Sequence, residues 1–284
     1  MLYLLFLLLL PRPDGSELHY RLDRPDARPY PLVLLLQGSE CASVQRPPYD
    51  DYARSLTVQG IAVLRIEKRG LTPSATGCPE EYLRENTVPN RVLDCLQVLA
   101  HLRRCESDWD RRLVVVGGSE GGLVAALVAP LVEETRAVVL IASGGAWPFE
   151  RELLAEMAKQ GAPLEQIRAE LETMKKNPTW QLEWGSDGQL ARNTYRWWAS
   201  ALPLSPGPSL VSLGPDIPVL LVQGEDDPQC SPVSVAELQA AMGSNLQVRR
   251  IPGLGHDFRN PLGRQALEET FAWIVERLEP VTKP

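Results

Sequence analysis

The chain has 284 residues, of which 44% are hydrophobic and 23% are charged, so it can build a sizeable core in one large α/β domain with an insertion, or in two small domains. The formal net charge is -7, and no Lys/Arg-rich block offsets it. An acidic chain has no general attraction to phosphate backbones or anionic membranes, which excludes nucleic acid as an expected partner.

The N-terminal residues are ambiguous between a strand and a targeting segment. Residues 2–10 are almost wholly apolar, but the run is too short to span a bilayer as a helix. Its length suits the apolar core of a signal peptide, yet no Lys or Arg precedes it and no small-x-small cleavage site follows it. We therefore favour a first β-strand, a turn at residues 13–15 and a second strand at 17–22. A cytoplasmic location is slightly favoured, and export to the periplasm or beyond is the alternative if residues 1–10 are a signal segment.

Short apolar runs without polar alternation indicate strands that are buried on both faces of a parallel sheet. Such runs occupy residues 31–37, 61–66, 112–116, 137–142, 218–223 and, more weakly, 246–251. Between them, apolar residues spaced by three or four predict helices at residues 49–58, 90–104, 121–134, 232–242 and 261–278. This alternation predicts an α/β fold with a doubly wound, mostly parallel sheet and helices on both faces.

One stretch interrupts this alternation. Residues 144–215 show no convincing strand and contain one helical pattern, at residues 163–175, followed by a tryptophan-rich part. Because the stretch separates two buried strands, we expect an insertion over one edge of the sheet, either an elaborated connection or a helical lid over an active site. We accordingly divide the chain into a core, residues 1–143 and 216–284, and a lid, residues 144–215.

A glycine-rich turn follows one of the predicted strands. The run at residues 112–116 leads into GGSEGG, residues 117–122, and a helical pattern comes next, so G-x-S-x-G lies in its required strand–turn–helix context. The turn is so sharp that the serine backbone is strained, and side chains two residues away on either side would clash. This geometry lifts the Ser119 hydroxyl above the strand ends and directs free helix N–H groups at the same place. Ser119 is therefore the candidate nucleophile, and the alternative is a glycine-rich turn without chemistry.

A serine hydroxyl is a poor nucleophile at neutral pH and needs a base. The chain has three histidines. His19 lies in a predicted edge strand and His101 within an amphipathic helix, where surface or packing roles are typical. His256 lies in the glycine-rich loop PGLGHDF, residues 252–258, after the last predicted strand and at the edge where open α/β sheets place their active sites. His256 is therefore the predicted base.

The base needs a carboxylate that holds its tautomer and stabilises the imidazolium. The strand at residues 218–223 ends in GEDDP, so Glu225, Asp226 and Asp227 are all available. We prefer Asp227, because the strand-G-x-x-D pattern puts its side chain beyond the sheet edge. Asp226 is the reserve candidate, and Glu225 is expected to face solvent. No histidine is left to join these carboxylates, so a metal site is not expected.

Stabilising an oxyanion needs two backbone donors. One should be the N–H of Glu120, directly after the nucleophile. The other should come from the loop after the strand at residues 31–37, where Ser39 is our first choice and Glu40 the second. Gly38 is useful there because a backbone must approach the substrate closely. The alternative for this loop is an ordinary strand-to-helix turn.

The cysteines form no CxxC pair, so a structural zinc site is not expected. Their number is odd and the chain is long, and we expect mostly buried free thiols. A single disulfide, for instance between Cys41 and Cys78, is the alternative for an exported protein. The remaining cysteines are Cys95, Cys105 and Cys230.

The chain resembles the α/β-hydrolase superfamily over residues 12–278. The resemblance rests on motifs that follow one another in the family's order, namely QGS, GGSEGG, GEDDP and GLGHDF. Gln37 stands where the family usually has histidine, which matters little because the oxyanion donor is backbone. The EKRG segment, residues 67–70, departs from the family's D-x-R-G turn. The general similarity is to bacterial esterases and thioesterases of the dienelactone-hydrolase and acyl-CoA-thioesterase branches.

The resemblance implies a serine hydrolase that needs no cofactor and cleaves a carboxylic ester or thioester of a small molecule. A peptidase, or a cofactor-free acyltransferase or perhydrolase, can use the same scaffold, so these stand as alternatives. A non-enzymatic binding protein is a third hypothesis, which the presence of serine, aspartate and histidine at the right landmarks argues against. The sequence is compatible with a homo-oligomer and gives no reason to expect stable membrane insertion.

The insertion contains five of the seven tryptophans. They either attach the lid to the main domain or form an apolar wall for the acyl or alcohol group of the substrate. In the second interpretation the candidate substrate-binding residues are Trp147, Trp184, Trp197 and Trp198.

Overall fold

The computed structural model describes residues 8–12, 15–75, 77–186 and 190–279. In chain order its strands are β1 (Leu8–Pro11), β2 (Glu17–Asp23), β3 (Tyr30–Leu36), β4 (Ala62–Ile66), β5 (Trp109–Gly118), β6 (Thr135–Ile141), β7 (Glu183–Ser186), β8 (Leu190–Thr194), β9 (Val219–Gly224) and β10 (Leu246–Ile251). Its α-helices are α1 (Tyr49–Thr57), α2 (Glu80–Glu85), α3 (Val88–Cys105), α4 (Glu120–Val128), α5 (Phe149–Lys159), α6 (Leu164–Lys176), α7 (Tyr195–Ala201), α8 (Pro206–Val211), α9 (Pro232–Met242) and α10 (Pro261–Leu278).

An eight-stranded sheet has the strand order β1-β2-β4-β3-β5-β6-β9-β10. The pairs β1–β2 and β2–β4 are antiparallel, and every pair from β4 to β10 is parallel. This arrangement confirms the predicted fold class, a mostly parallel sheet of the α/β-hydrolase kind.

The central strand β3 shows why unalternating apolar runs mark this sheet. Leu32, Leu34 and Leu36 belong to one core cluster, which also contains residues of α3, α4 and α9. Val33 and Leu35 belong to a second cluster, which contains residues of α1 and α10. Helices therefore cover both faces of the sheet, and every position of β3 is buried.

Two helices differ in extent from their prediction. Helix α4 was expected to continue to residue 134 but ends at Val128, and a short 3-10 turn follows at Ala129–Leu131. Pro130 explains the stop, because proline has no N–H to donate and its ring clashes with the preceding turn. Helix α3 starts two residues earlier than expected, where the Thr87 side chain accepts a hydrogen bond from the N–H of Asn90 at 3.3 Å.

The prediction that residues 144–215 contain no strand is wrong. Strands β7 and β8 form an antiparallel pair in which Glu183 lies opposite Thr194 and Trp184 opposite Asn193. Both strands are short and largely polar, so neither has the apolar run or the alternation that would reveal it. The helical pattern at residues 163–175 corresponds to α6, and helices α5, α7 and α8 were not predicted. Helix α7 packs against α3, and α8 packs against α4.

The described part of the predicted first strand, residues 8–10, belongs to β1. Residues 2–7, and positions 13–14 of the predicted turn, lie outside the described residues. In the part of the chain that the structure describes, no helix combines the length and the apolarity that crossing a bilayer requires.

Cys41 and Cys78 form a disulfide with their Cα atoms 5.7 Å apart. The alternative of a single Cys41–Cys78 disulfide is therefore confirmed. The expectation of buried free thiols holds for Cys95 and Cys230, whereas Cys105 is free but exposed. The pairing follows from the topology. Strands β3 and β4 are parallel neighbours, so the loops that follow them meet at the same edge of the sheet and bring the two cysteines together.

Candidate active site

Ser119 lies in a strained turn between β5 and α4. Its φ of 54° and ψ of -125° are values that a residue with a side chain rarely adopts. The flanking glycines make this turn sterically feasible. A Cβ at Gly117 would collide with the carbonyl of Gly121, and a Cβ at Gly121 would collide with the carbonyl of Leu36. The local sequence therefore forces the hydroxyl of Ser119 out beyond the end of the strand.

The structure brings Ser119, His256 and Asp227 into one hydrogen-bonded line. The Ser119 hydroxyl lies 3.1 Å from His256 Nε2, and His256 Nδ1 lies 2.9 Å from Asp227 Oδ2. The three residues follow the carboxyl ends of β5, β10 and β9, which are all parallel. The His256 side chain is 27% exposed, whereas that of Asp227 is 0% exposed. The imidazole can thus reach a substrate while its carboxylate partner is shielded from water.

Asp227 is the carboxylate that the structure places beside His256, while Glu225 and Asp226 are exposed. Asp227 Oδ2 also accepts a hydrogen bond from Gln223 Nε2 at 2.7 Å, and Oδ1 accepts one from the N–H of Gln229 at 2.9 Å. Both oxygens are therefore held in place. Sequence reasoning missed Gln223, although a polar residue at the end of an otherwise apolar buried strand was a visible signal.

A cavity of about 710 Å³, including its opening to solvent, lies over Ser119 and His256. Its wall is aromatic and comes largely from the segment 144–215, with contributions from Trp147, Phe149, Trp197 and Trp198. Three of the four tryptophans that the sequence nominated thus line the cavity. The fourth, Trp184, lies behind the wall, where it packs edge-on against Trp198 with ring centroids 4.9 Å apart. Phe149 was not nominated, and it stacks on Trp198 at 5.6 Å.

Ser39 and Glu120, the residues nominated as backbone donors, line the same cavity as Ser119. Glu120 is the first residue of α4, so its N–H has no partner within the helix. Gly38 lies directly against the nucleophile, because a Cβ there would be 3.4 Å from the Cβ of Ser119. The loop after β3 and the first turn of α4 therefore face one another across the serine hydroxyl.

The carboxylate of Glu120 turns away from its backbone N–H into a buried polar cluster. It accepts hydrogen bonds from Arg91 Nη1 at 2.5 Å and from Trp197 Nε1 at 2.8 Å. Burial alone would raise the pKa of Glu120, but the charges of Arg91 and Lys68 and these hydrogen bonds outweigh it, so the pKa is lowered. Burial lowers the pKa of Lys68 to about 7, and the charge of Glu120 opposes that shift.

Glu152 is the second carboxyl group in the cavity wall. It is buried, and its Oε2 accepts a hydrogen bond from the N–H of Ser231 at 2.8 Å. Burial raises the pKa of Glu152, and hydrogen bonds only partly oppose that shift. The neutral acid is therefore favoured more here than for a carboxyl group in water.

Comparisons with known proteins agree on the fold. Est1E from Butyrivibrio proteoclasticus aligns with a TM-score of 0.66 and 17% identity, over 96% of this chain and 99% of that one. A carboxyl esterase from Bacillus coagulans aligns with a TM-score of 0.67 and 14% identity, over 95% and 96% of the two chains. Puromycin hydrolase aligns with a TM-score of 0.64 and 23% identity, over 99% of this chain but 40% of the other. At these identities the likeness shows the fold alone.

The comparison with curated proteins gives no match. A family model described as serine aminopeptidase, S33, matches residues 32–261, a span that contains Ser119, Asp227 and His256. The resemblance to α/β-hydrolases that the motifs suggested is thereby confirmed. The chain belongs to the Hydrolase_4 family of serine aminopeptidase-like α/β-hydrolases.

Proposed function

We propose that the protein is a serine hydrolase that cleaves carboxylic esters through an acyl-enzyme on Ser119. The observation that carries the proposal is the hydrogen-bonded line from Ser119 through His256 to the buried Asp227. A serine in a strained turn, a histidine at 3.1 Å and a shielded carboxylate behind it are the groups that nucleophilic acyl transfer requires.

The reaction has two halves. Ser119 Oγ attacks the ester carbonyl carbon while its proton moves to His256 Nε2, and the imidazolium is stabilised by Asp227. The N–H groups of Ser39 and Glu120 donate to the oxyanion. The C–O bond then breaks as His256 returns the proton to the leaving alcohol. Water attacks the acyl-enzyme, gives its proton to His256 and releases the acid, and Ser119 takes the proton back.

The cavity favours an uncharged, apolar group on the substrate. Its acidic lining residues are Glu120, which pairs with Arg91, and Glu152, whose pKa burial raises above that of a carboxyl group in water. Among the described residues, no Lys or Arg lines this cavity. The aromatic wall therefore offers contact area for an acyl or alcohol group and no cation for a phosphate or carboxylate. Residues 144–215 act as the lid in this proposal.

Amide cleavage is the second candidate, because the matched family is described as serine aminopeptidase and puromycin hydrolase shares the fold. An aminopeptidase must bind the protonated amine of its substrate. In the cavity that task would fall to Glu152, whose Oε2 already accepts a hydrogen bond from the N–H of Ser231 at 2.8 Å and whose carboxylate form is penalised by burial. The ester proposal is therefore preferred.

The test combines a fluorophosphonate probe with a substrate panel. We expect wild-type protein to be labelled covalently and to hydrolyse p-nitrophenyl esters of short and medium acyl chains faster than aminoacyl p-nitroanilides. Ser119→Ala should abolish labelling and lower turnover by roughly 10⁴- to 10⁶-fold. Ester hydrolysis that survives this change would refute the mechanism, and faster turnover of the aminoacyl anilides would favour the second candidate.

A further inference from the structure

In the loop between β3 and the disulfide, the carbonyls of consecutive residues accept hydrogen bonds from side chains elsewhere in the fold. The carbonyl of Gln37 accepts a hydrogen bond from Arg91 Nη2 at 2.8 Å. Lys68 Nζ donates to the carbonyls of Gly38 and Glu40, both at 2.6 Å. The carbonyl of Ser39, between them, accepts a hydrogen bond from the Tyr82 hydroxyl at 3.1 Å. Residues 37–40, which we call the oxyanion loop, thus have every carbonyl tied to a side chain from elsewhere in the fold.

Holding the carbonyl of Gly38 also sets the direction of the Ser39 N–H. The two groups belong to the same peptide unit, which is planar and trans, so the C=O and the N–H point in opposite directions. Lys68, which does not line the cavity over Ser119, holds the Gly38 oxygen on its own side of the loop. The Ser39 N–H must then point to the other side, and Ser39 is the loop residue that lines the cavity over Ser119.

The burial of Lys68 calls for an explanation beyond fold stability. The residue is 3% exposed, and its ammonium group lies 5.7 Å from the centre of the Tyr82 ring. Removing an ammonium group from water is expensive, and an apolar side chain of similar length would fill the same space without that cost. What an apolar side chain cannot do is donate to two carbonyls that flank Ser39.

We propose that Lys68 is a positioning residue of the oxyanion hole, because its hold on the Gly38 and Glu40 carbonyls turns the Ser39 N–H towards the oxyanion of the tetrahedral intermediate. The inference rests on the proposed acyl transfer at Ser119. It assigns a role to the segment that departs from the family's D-x-R-G turn. Tyr82 supports the same loop through the carbonyl of Ser39.

A positioning role has a kinetic signature that a purely structural role lacks. A donor aimed at the oxyanion stabilises the transition state and not the bound ester, so its misalignment lowers kcat and leaves KM nearly unchanged. Loss of one whole oxyanion donor costs about 100- to 1,000-fold in kcat, and a misaligned donor should cost less. We expect a 10- to 100-fold fall in kcat for Lys68→Met, a change that keeps most of the length of the side chain and removes its donor.

The experiment measures kcat, KM and the inhibition constant of an alkyl boronic acid, whose tetrahedral adduct with the serine places an oxygen in the oxyanion hole. For Lys68→Met, we expect boronate affinity to fall by the same factor as kcat, with KM within about twofold. The control is Glu67→Gln, at the neighbouring position, whose carboxylate accepts from the N–H of Val44 at 3.0 Å and holds no carbonyl of residues 37–40. It should leave the ratio of boronate affinity to KM unchanged.

Tyr82→Phe provides a second variant that removes a single hydroxyl, so the proposal can be judged even if Lys68→Met fails to fold. It should lower kcat and boronate affinity together, by about three- to tenfold. The effect is smaller than for Lys68→Met because Lys68 still holds the carbonyls of Gly38 and Glu40 on either side of Ser39. If folded Lys68→Met keeps wild-type kcat and boronate affinity, Lys68 is merely structural. Where Lys68→Met cannot fold, wild-type kcat and boronate affinity in Tyr82→Phe would overturn the premise that tethering the carbonyls of residues 37–40 aligns the oxyanion hole. Failure of the underlying function looks different, because wild-type activity would then survive Ser119→Ala.

Discussion

Arg91 and Glu120 form a buried ion pair beside the cavity, with 2.5 Å between Nη1 and Oε1 and side chains only 6% and 3% exposed. The second terminal nitrogen of Arg91 donates to the carbonyl of Gln37. One guanidinium group therefore joins the loop that contributes Ser39 to the helix start that contributes Glu120. Trp197, from the segment 144–215, donates to the other oxygen of Glu120 and so connects the cavity wall to the same cluster.

Removing Arg91 should leave the buried carboxylate of Glu120 without its ion-pair partner, with only the more distant charge of Lys68 to stabilise it. We expect Arg91→Met to lower the free energy of unfolding by about 3–5 kcal/mol, measured by urea denaturation at pH 7, because Glu120 stays buried without the guanidinium that pairs with it directly. The double variant Arg91→Met/Glu120→Gln should recover most of that loss, since a neutral amide can still accept the hydrogen bond from Trp197. Equal destabilisation of the single and double variants would show that lost packing, not the unpaired charge, dominates.

The choice between the two adjacent aspartates gives a matched pair of variants. Asp227 is buried and contacts His256, whereas Asp226 is exposed. We expect Asp227→Asn to lower kcat for a p-nitrophenyl ester by about 10⁴-fold, because the amide no longer holds the imidazole in the productive tautomer. Asp226→Asn should stay within twofold of wild type. A larger loss from Asp226→Asn would move the acid by one residue and contradict the observed hydrogen bond.

Much of this site was visible in local patterns. Apolar runs without alternation indicate strands that are buried on both faces of the sheet, and these runs correctly predicted the parallel strands. The GGSEGG turn reports a backbone that tolerates no side chain, so it located Ser119. Because a chain with three histidines leaves few choices, His256 could be nominated from its position after a strand. The structure brings both residues and Asp227 within hydrogen-bonding distance.

The contacts that support the site were not visible, for a physical reason. The oxyanion loop is contacted by three side chains from different segments, Lys68, Tyr82 and Arg91. The sequence around each of them contains no pattern that would predict this contact. The Cys41–Cys78 bridge likewise arises because two parallel strands end at the same edge. Local spacing records the geometry of turns and the burial of elements, whereas these contacts depend on how distant loops pack. The hairpin of β7 and β8 was not predicted for a different reason. Its strands are short and largely polar, so they show no alternation of apolar and polar residues.

The Cys41–Cys78 disulfide should stabilise the folded protein by lowering the conformational entropy of the unfolded chain. It closes a loop with a sequence separation of 37, for which the chain-entropy estimate is about 4 kcal/mol. We expect Cys41→Ser/Cys78→Ser to lower the free energy of unfolding by about 2–4 kcal/mol in guanidinium denaturation. Cys105→Ser, at an exposed free thiol, is the control and should change it by less than about 0.5 kcal/mol. A double serine variant as stable as wild type would indicate that the reduced chain keeps the loop closed by other contacts.

Lys68 should make stability depend on pH in a direction that can be worked out. Burial lowers its pKa in the folded protein to about 7, from a usual value of 10.5, while Glu120 and Glu67 oppose this shift and Arg91 and Arg46 assist it. Between these two pKa values the unfolded chain binds more protons than the folded chain, so this group adds stability as the pH rises.

The comparison with Lys68→Met isolates that contribution, because the other titrating groups are shared. We expect the free energy of unfolding of wild type, relative to the variant, to increase steadily when urea denaturation is repeated at pH 6.5, 8 and 9.5. The gain should be small below pH 7, where Lys68 is protonated in both states. Parallel pH profiles for the two proteins would mean that Lys68 titrates alike in the folded and unfolded chains, so that its burial beside the oxyanion loop imposes no cost on the charged form.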